Sequence, residues 1–574
     1  MRLKFLTYML ITAVFTLSGC GGGGGGSTAS TTTGTTTNLA ISVDRNVTIN
    51  QPTQIVRLGK TSVKVDVNIT NGPKNLYMLL SNYATGTTSA PVITHNPKTV
   101  TLPSQNNLKV VSSNPSTNIL HAPQEVEIFR RNAQQLMRKQ NLSSTRQAKI
   151  FSMPIVKSSD VVGNTKNFQI NATAGVTTAA TARKIISNVV TTSGTRTLNV
   201  WVSDDSFDSG AGCLKANCVT QAMVDALAAK FLAVGANNDI YDWVTNIYGA
   251  EWAADAQTIS SNLIPYDGNI TILLTDIGND NSTNGGVIGY FYSKDNFLAS
   301  AVNGSNERIM FYLDSVLLAT PQIQGGVWNI TDFWSQQMIS TLAHEFQHMI
   351  HFYQKSVKFN ATSQTWLNEM LSETTEDMVA IKLQNSGPRN VSYTNGTAGL
   401  AGNFNGRYPL FNSRNTLSLT SWTSASADYS KVSAFGAFLI RKYGGSGLLS
   451  SIVHSNLTGT DAIVSALQAK GITKTFDDLL REWGEEVLIS DKTASSVYNT
   501  SGFTYNTPNI VSNISYPLGS INFFNYTPSV TINTTAGTVS PQGNYYYEVG
   551  TGLSGLVHIE VLLDGATEAT LIAK

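Results

Sequence analysis

The feature that most constrains this chain is the pentapeptide His344-Glu345-Phe346-Gln347-His348. An α-helix has about 3.6 residues per turn, so His344 and His348 lie one turn apart on one face, where both imidazoles can bind a single metal ion. Glu345 projects beside them, at the position of a base that activates water. The sequence therefore predicts a helix whose histidine face borders a cleft.

The neighbouring residues separate two interpretations of the histidines. One is a core helix in which both are merely hydrogen-bonded inside the protein. However, an apolar stripe runs along the helix opposite the pair, at Ile339, Leu342, Phe346, Ile350 and Tyr353, and this stripe already supplies the packing face. The histidines replace none of its positions, which favours the cleft.

A metal site of this type needs a third protein ligand. One known pattern has a glycine three residues after the second histidine and a further histidine at position 354. This chain has His351 and Gln354 at these positions. His351 is also seven residues from His344, roughly 10 Å along the helix axis, which is too far to share one ion with it.

The other source of a ligand is a carboxylate on the next predicted helix. Glu369 and Glu373 are four residues apart and face the same way. Glu369 can complete the ligand set, and Glu373 can accept a hydrogen bond from a ligand imidazole. Glutamate pairs are also common on solvated helix faces. The 21 positions between His348 and Glu369 allow one helix to end and the next to return antiparallel.

At this point the sequence resembles a known family. The hexapeptide at residues 368–373, Asn-Glu-Met-Leu-Ser-Glu, resembles the motif of the gluzincin metallopeptidases, the thermolysin-like clan. Residues 343–354 and 366–378 together are similar to the hyicolysin family of bacterial secreted metallopeptidases. The resemblance is specific over 343–378 and extends diffusely over about 195–490.

The resemblance implies a role for each residue of the motif. His344, His348 and Glu369 would bind zinc, Glu345 would be the general base, and Glu373 would be the carboxylate that supports a ligand imidazole. Thermolysin itself has an aspartate at the last position, so the reach of Glu373 differs by one methylene. The group that stabilises the oxyanion stays unassigned, with three downstream residues considered: Tyr408, Tyr429 and His454.

The periodicity of the remaining chain predicts its organisation. Period-two runs predict a β-rich domain over 38–120, and a polar, basic stretch predicts a helical connector with a solvated face over 121–165. Strands and then helices over 166–490 predict the zinc metallopeptidase domain, and period-two runs return over 491–574. We expect an α+β fold: a gluzincin-like domain, with a mixed sheet, an active-site helix and a helical lobe, flanked by N- and C-terminal β-rich domains.

The amino terminus predicts export and lipidation. Residues 1–19 have a basic start, a short apolar core and small residues before Cys20, which is typical of a bacterial lipoprotein signal peptide. An ordinary signal peptide is the alternative. Residues 20–37, rich in Gly, Ser and Thr, predict a flexible tether. We expect Cys20 to be acylated and to anchor the protein in the cell envelope, outside the cytoplasm, with the lipid as its membrane contact.

Two local predictions follow from an extracytoplasmic location and from loop composition. Cys213 and Cys218 are close in sequence and predict a disulfide. The loop over 276–285 has enough side-chain oxygens for Ca²⁺, but it lacks the alternation of an EF-hand loop. We therefore favour a polar turn there, with a calcium site as the alternative.

The charge balance and the motif together bound the function. Lys and Arg total 38 against 37 Asp and Glu, a net charge of +1, which argues against a nucleic-acid binder. The sequence predicts a zinc-dependent endopeptidase acting on protein or peptide substrates. Two alternatives stay open: a surface adhesin or scaffold with a degenerate site, and a zinc hydrolase of non-peptide amides.

Overall fold

The computed structural model describes residues 44–96, 119–120, 122–138, 159–171, 175–235, 239–390, 406–493, 495–499, 504–505, 516–535 and 537–574. The predicted signal peptide, Cys20 and the predicted tether lie outside these ranges, so lipidation stays a prediction. Within them, no helix combines the length and the apolar character needed to cross a bilayer.

The first half of the chain is mainly strand. Its elements are β1 (Asp44–Ile49), β2 (Gln54–Gly59), β3 (Val63–Asn82), β4 (Val92–Asn96), β5 (Ile119–Leu120), α1 (Gln124–Arg138), β6 (Thr165–Gln169), β7 (Thr177–Thr191), β8 (Gly194–Ser203), α2 (Gln221–Phe231), α3 (Ile240–Tyr248), α4 (Ala256–Ile259), β9 (Asn269–Thr275), β10 (Gly286–Val287), β11 (Gly289–Phe291) and β12 (Met310–Asp314).

The second half is mainly helical until the last strands. Its elements are α5 (Ser315–Leu318), α6 (Phe333–His351), α7 (Thr365–Leu383), α8 (Tyr408–Ser413), α9 (Ser426–Tyr443), α10 (Gly445–Val453), α11 (Gly459–Gln468), α12 (Phe476–Leu488), β13 (Thr504–Tyr505), β14 (Tyr516–Pro517), β15 (Gly543–Leu562) and β16 (Thr567–Ala573). The mixed α+β class predicted from the sequence is confirmed.

The first large sheet joins the two ends of the chain. Its strand order is β2-β16-β3-β15-β4, and β1 pairs with β3 in parallel. The long strand β3 therefore has β15 on one side and β16 on the other, both antiparallel. The sequence predicts separate N- and C-terminal β-rich domains, and the structure differs because the two segments pair with each other. Local periodicity identifies strands, but it does not identify partners that lie hundreds of residues apart.

Alternation along β3 explains how this sheet is held against the helices. Leu76, Met78 and Leu80 point into the sheet's own core. Tyr77 and Leu79 point to the other side and join the large core of the helical region. Because successive residues of a strand face opposite sides, one strand contributes to both cores.

The second large sheet positions helix α6, which carries the motif at residues 344–348. Its strand order is β11-β12-β9-β8-β7-β6, with β8, β9 and β12 parallel and β11 antiparallel at the edge. Central strand β9 is apolar and buried on both faces. Helix α6 packs against β11, and α7 returns along α6. On the far side of α7, Gly436 of α9 allows close approach, because a Cβ there would lie 1.9 Å from Thr374 Oγ1.

Candidate active site

Two buried helices bring the predicted site residues together. Helix α6 presents His344, Glu345 and His348, and α7 presents Glu369. These four side chains are between 0 and 2% exposed. Polar groups this deeply buried are stable only if each has a partner. The arrangement of their partners is therefore informative.

Three ligand-type atoms converge on one point. The Nε2 atoms of His344 and His348 are 3.1 Å apart, and Glu369 Oε2 lies 3.1 Å from the first and 3.3 Å from the second. Glu345 lies beside them, with Oε1 3.9 Å from His344 Nε2. His344, His348 and Glu369 could hold a metal ion, and Glu345 is placed next to it.

The other imidazole nitrogens are fixed by hydrogen bonds. His344 Nδ1 donates to Glu376 Oε1 at 2.8 Å, and Glu376 also accepts from the Ser340 hydroxyl. His348 Nδ1 donates to Ser372 Oγ at 3.1 Å, while that hydroxyl donates to Gln347. With the proton on Nδ1, the Nε2 lone pair of each ring is available to a metal ion.

Glu373 has a different environment from the one expected. Its carboxylate accepts from Arg407 at 2.6 Å and 3.0 Å, and it lies within 4.8 Å of the grouped atoms of His344 and Glu376. Glu376, one turn further along α7 than Glu373, is the residue that accepts the hydrogen bond from His344 Nδ1. The sequence interpretation missed Glu376, although its spacing of seven residues from Glu369 puts it on the same helix face.

Burial and charge set the protonation of the site. Burial lowers the pKa of His348 to about 3, which leaves its imidazole neutral. Burial also lowers the pKa of His344, but hydrogen bonds with Glu369 and Glu376 outweigh it and raise the pKa to about 10. A metal ion that takes His344 Nε2 therefore displaces a proton. Burial raises the pKa of Glu345 to about 7, against the opposing charges of His344 and Arg130.

An arginine from the predicted connector enters the site. Arg130 of α1 donates to the Phe291 carbonyl at 2.7 Å and to Glu345 Oε2 at 3.2 Å, and its Nη1 lies 3.7 Å from Glu369 Oε1. The prediction of a solvated basic face is wrong at this position, where the side chain is 10% exposed. The missed signal is helical spacing, since Arg130 continues a buried stripe with Val126 and Ala133.

The other residues considered from the sequence make contacts of their own. His351 bonds Ser363 through Nε2 at 2.9 Å. Tyr429 is buried; burial raises its pKa well above the usual value, and the charge of Glu369 acts in the same direction. Tyr408 packs against Phe523, and His454 bonds the Ser450 carbonyl at the end of α10.

The loop considered for calcium is occupied by an ammonium group. Cys213 and Cys218 form a disulfide, and the ring that it closes carries Lys215. The Lys215 Nζ lies 2.8 Å from Asp276 Oδ2, 2.8 Å from Asn279 Oδ1 and 3.0 Å from Asp205 Oδ2. Two side-chain oxygens of the loop, from Asp276 and Asn279, therefore contact an ammonium group, and the structure gives no support for Ca²⁺ here.

Fold and site together define the class: an HExxH helix, a glutamate from the next helix beside both histidines, and a mixed sheet are the features of a metallopeptidase. A family model described as Peptidase M30 matches residues 178–534, which is more than half of the chain. The chain belongs to the peptidase M30 family, and the hyicolysin resemblance is confirmed.

One relative carries a functional name. The neutral metalloprotease ShpI of Staphylococcus hyicus is 25% identical over 285 residues, covering 48% of this chain and 56% of the relative. The chain thus spans little more than half the length of that relative.

Proposed function

We propose that this protein is a zinc-dependent endopeptidase in which Glu345 is the general base. The observation that carries the proposal is the convergence of His344 Nε2, His348 Nε2 and Glu369 Oε2 beside Glu345 in a member of the M30 family. The complete set of four residues argues against an adhesin with a degenerate site. The glutamate ligand on α7 supports the gluzincin arrangement.

The donor set suits zinc. Tetrahedral zinc bonds imidazole nitrogen and carboxylate oxygen at about 2.0–2.2 Å, which separates neighbouring ligand atoms by about 3.3–3.6 Å. The three atoms here are 3.1–3.3 Å apart. Zinc, when bound, supplies Lewis acidity for a carbonyl and a water molecule. Two imidazoles and one carboxylate are also the donor types of catalytic zinc sites.

The protein's own residues then supply orientation and proton transfer. The Phe291 backbone N–H donates to Glu345 Oε2 at 2.8 Å and fixes that carboxylate. With a pKa of about 7, Glu345 can take a proton from water near neutral pH and return it to the departing amine. Glu376 and Ser372 keep both imidazoles oriented throughout.

We also propose the location expected from the sequence. Acylation of Cys20 would anchor the protein in the bacterial cell envelope, with residues 20–37 as the tether. Protein or peptide substrates outside the cytoplasm would then be within reach, and no other membrane contact is needed.

The experiment compares three glutamate substitutions in the full chain. Glu345→Gln preserves shape and should keep about one zinc per chain, while peptide hydrolysis falls by about 10² or more. Glu369→Ala removes a ligand, so zinc and activity should be lost together. Glu560→Gln, on β15 of the other sheet, is the control and should resemble the parent. Full peptidase activity in Glu345→Gln, or full zinc content in Glu369→Ala, would refute the assigned roles.

A further inference from the structure

Helix α1 carries a charged residue in the middle of its buried face. Val126, Ala133 and Met137 are 0 to 8% exposed, and Arg130 lies between them at the same helical spacing. A guanidinium is costly to bury unless it is paired. Here the apolar residues hold α1 against the protein, and Arg130 finds its partners inside the candidate active site.

The partners of Arg130 are groups that the proposed reaction uses. It donates to Glu345 Oε2, and it lies 3.7 Å from Glu369 Oε1, an oxygen that is itself 3.3 Å from His348 Nε2. The other oxygen of Glu369, Oε2, is close to the Nε2 atoms of both histidines and stays available to the ligand set. Arg130 also takes the carbonyl of Phe291 on the edge strand β11, a main-chain acceptor that an extended peptide could use.

Contacts on both sides of the cleft hold α1 in place. Near its start, Glu127 accepts from Trp422 Nε1 at 3.2 Å and Ser424 Oγ at 3.0 Å. Near its end, the Leu136 carbonyl accepts from Asn262 Nδ2 at 2.7 Å. The cleft beside His348 and Glu369 is lined by residues of α1 together with residues of α6 and α7. Helix α1 thus forms part of the wall of the cleft that contains two of the candidate metal ligands.

We propose that the cleft's binding partner in this structure is a segment of its own chain, and that α1 is an inhibitory segment anchored by Arg130. The inference rests on the proposed peptidase function. A substrate carbonyl has to reach Glu345 and the ligand set, and Arg130 stands in that position. The protein is latent while α1 is seated, and hydrolysis requires α1 to move away or to be removed.

Point substitutions in the full chain test this, because β1–β4 belong to a sheet shared with the last residues. Arg130→Ala should raise kcat/KM for a peptide substrate by about 10-fold or more, since it raises the fraction of molecules with an open cleft. Its metal content should stay at the parental value, and hydrogen exchange over 124–138 should become faster. Asn132→Ala, at an exposed position of α1 that does not line the cleft, is the control and should leave both measurements near the parent.

Two further measurements protect the test against misfolding. Asn262→Ala removes the hydrogen bond to the Leu136 carbonyl at the carboxyl-terminal end of α1 and changes no residue of the site. It should also raise kcat/KM, but by less than Arg130→Ala does. A synthetic peptide of residues 124–138 should inhibit Arg130→Ala in trans, and the same peptide with Arg130→Ala should not.

The possible outcomes separate the two proposals. Unchanged or lower activity in Arg130→Ala and Asn262→Ala, with α1 as protected as in the parent, overturns the inhibitory role. Equal activation by Arg130→Ala and Asn132→Ala overturns the anchoring by Arg130. If no variant hydrolyses peptide but Arg130→Ala speeds exchange over 124–138, the peptidase proposal fails and the seating of α1 by Arg130 stands.

Discussion

Glu373 and Glu376 lie three residues apart on α7, and the structure predicts different consequences for their loss: one for protein stability and the other for metal affinity. Glu376→Gln keeps an oxygen that can accept from His344 Nδ1, but it removes the negative charge behind the ring. Glu373→Gln leaves the imidazole bond to Glu376 untouched and takes the charge away from Arg407, which lies only 2.6 Å from it. We expect the first change to weaken metal binding and the second to weaken folding.

The magnitudes follow from the two environments. Loss of a carboxylate partner behind a ligand histidine typically costs 10- to 100-fold in metal affinity, or about 1.4–2.7 kcal/mol. Glu373 is fully buried and Arg407 is 13% exposed, so removing one charge of this pair should cost about 3–5 kcal/mol in the free energy of unfolding. In the folded Glu373→Gln protein, metal affinity should stay within about threefold of the parent.

Two assays on the same preparations decide the matter. Competition with a chromophoric chelator measures zinc affinity, and denaturant unfolding of the metal-free protein measures stability. If Glu373→Gln loses 10- to 100-fold in zinc affinity while Glu376→Gln binds as the parent does, then Glu373 supports the imidazole, as the sequence resemblance implies, and our reading of the hydrogen bonds is wrong.

Three other predictions concern packing, pH and anchoring. Gly436→Ala should lower the free energy of unfolding by about 1–3 kcal/mol, because the new Cβ meets Thr374; unaltered thermal stability would contradict this. Burial, reinforced by Asp242, raises the pKa of Asp239 to about 7, so the folded state holds a proton that the unfolded chain releases near pH 4. Stability should fall between about pH 4 and 7, and Asp239→Asn should remove a loss on the order of 4 kcal/mol; an unchanged pH profile of unfolding would exclude it. Cys20→Ser should release the protein from membrane fractions or leave its precursor uncleaved; identical fractionation, with no acyl label on the parent, would disprove lipidation.

The sequence predicts the relative positions of residues close together in the chain, but it does not predict contacts between residues far apart in it. The placement of His344 and His348 follows from helix pitch alone. Glu369 requires only that the next helix return, so its spacing was informative. Arg130 meets Glu345 across 215 positions, and no local pattern records such a partner. The local sequence gives one indication: Arg130 occupies the same helical stripe as the apolar residues Val126 and Ala133. Without these neighbours, the charge predicts a solvated face.

The sequence resemblance implies that Glu373 supports a ligand imidazole, whereas Glu376 accepts the hydrogen bond of His344 Nδ1 in the structure. This difference has another cause. Both residues lie on the face of α7 that follows from Glu369, and the motif favours the nearer one. Which glutamate bonds His344 depends on Arg407, a residue 34 positions after Glu373 that forms an ion pair with it. A competing charge elsewhere in the fold therefore decides which acid supports the ring.

The shared sheet also imposes an order of events on synthesis. Strand β3 leaves the ribosome long before both of its main neighbours, β15 and β16. Until residues 543–573 appear, one edge of the 20-residue strand β3 lacks its partner β15, and the other edge is paired only with β1, at residues 64–69; unpaired edges of this kind recruit other chains. The first sheet can be completed only after residues 543–573 have been synthesised. A nascent or prematurely terminated chain lacks it, so quality control of this protein should act on chains that end before residue 543.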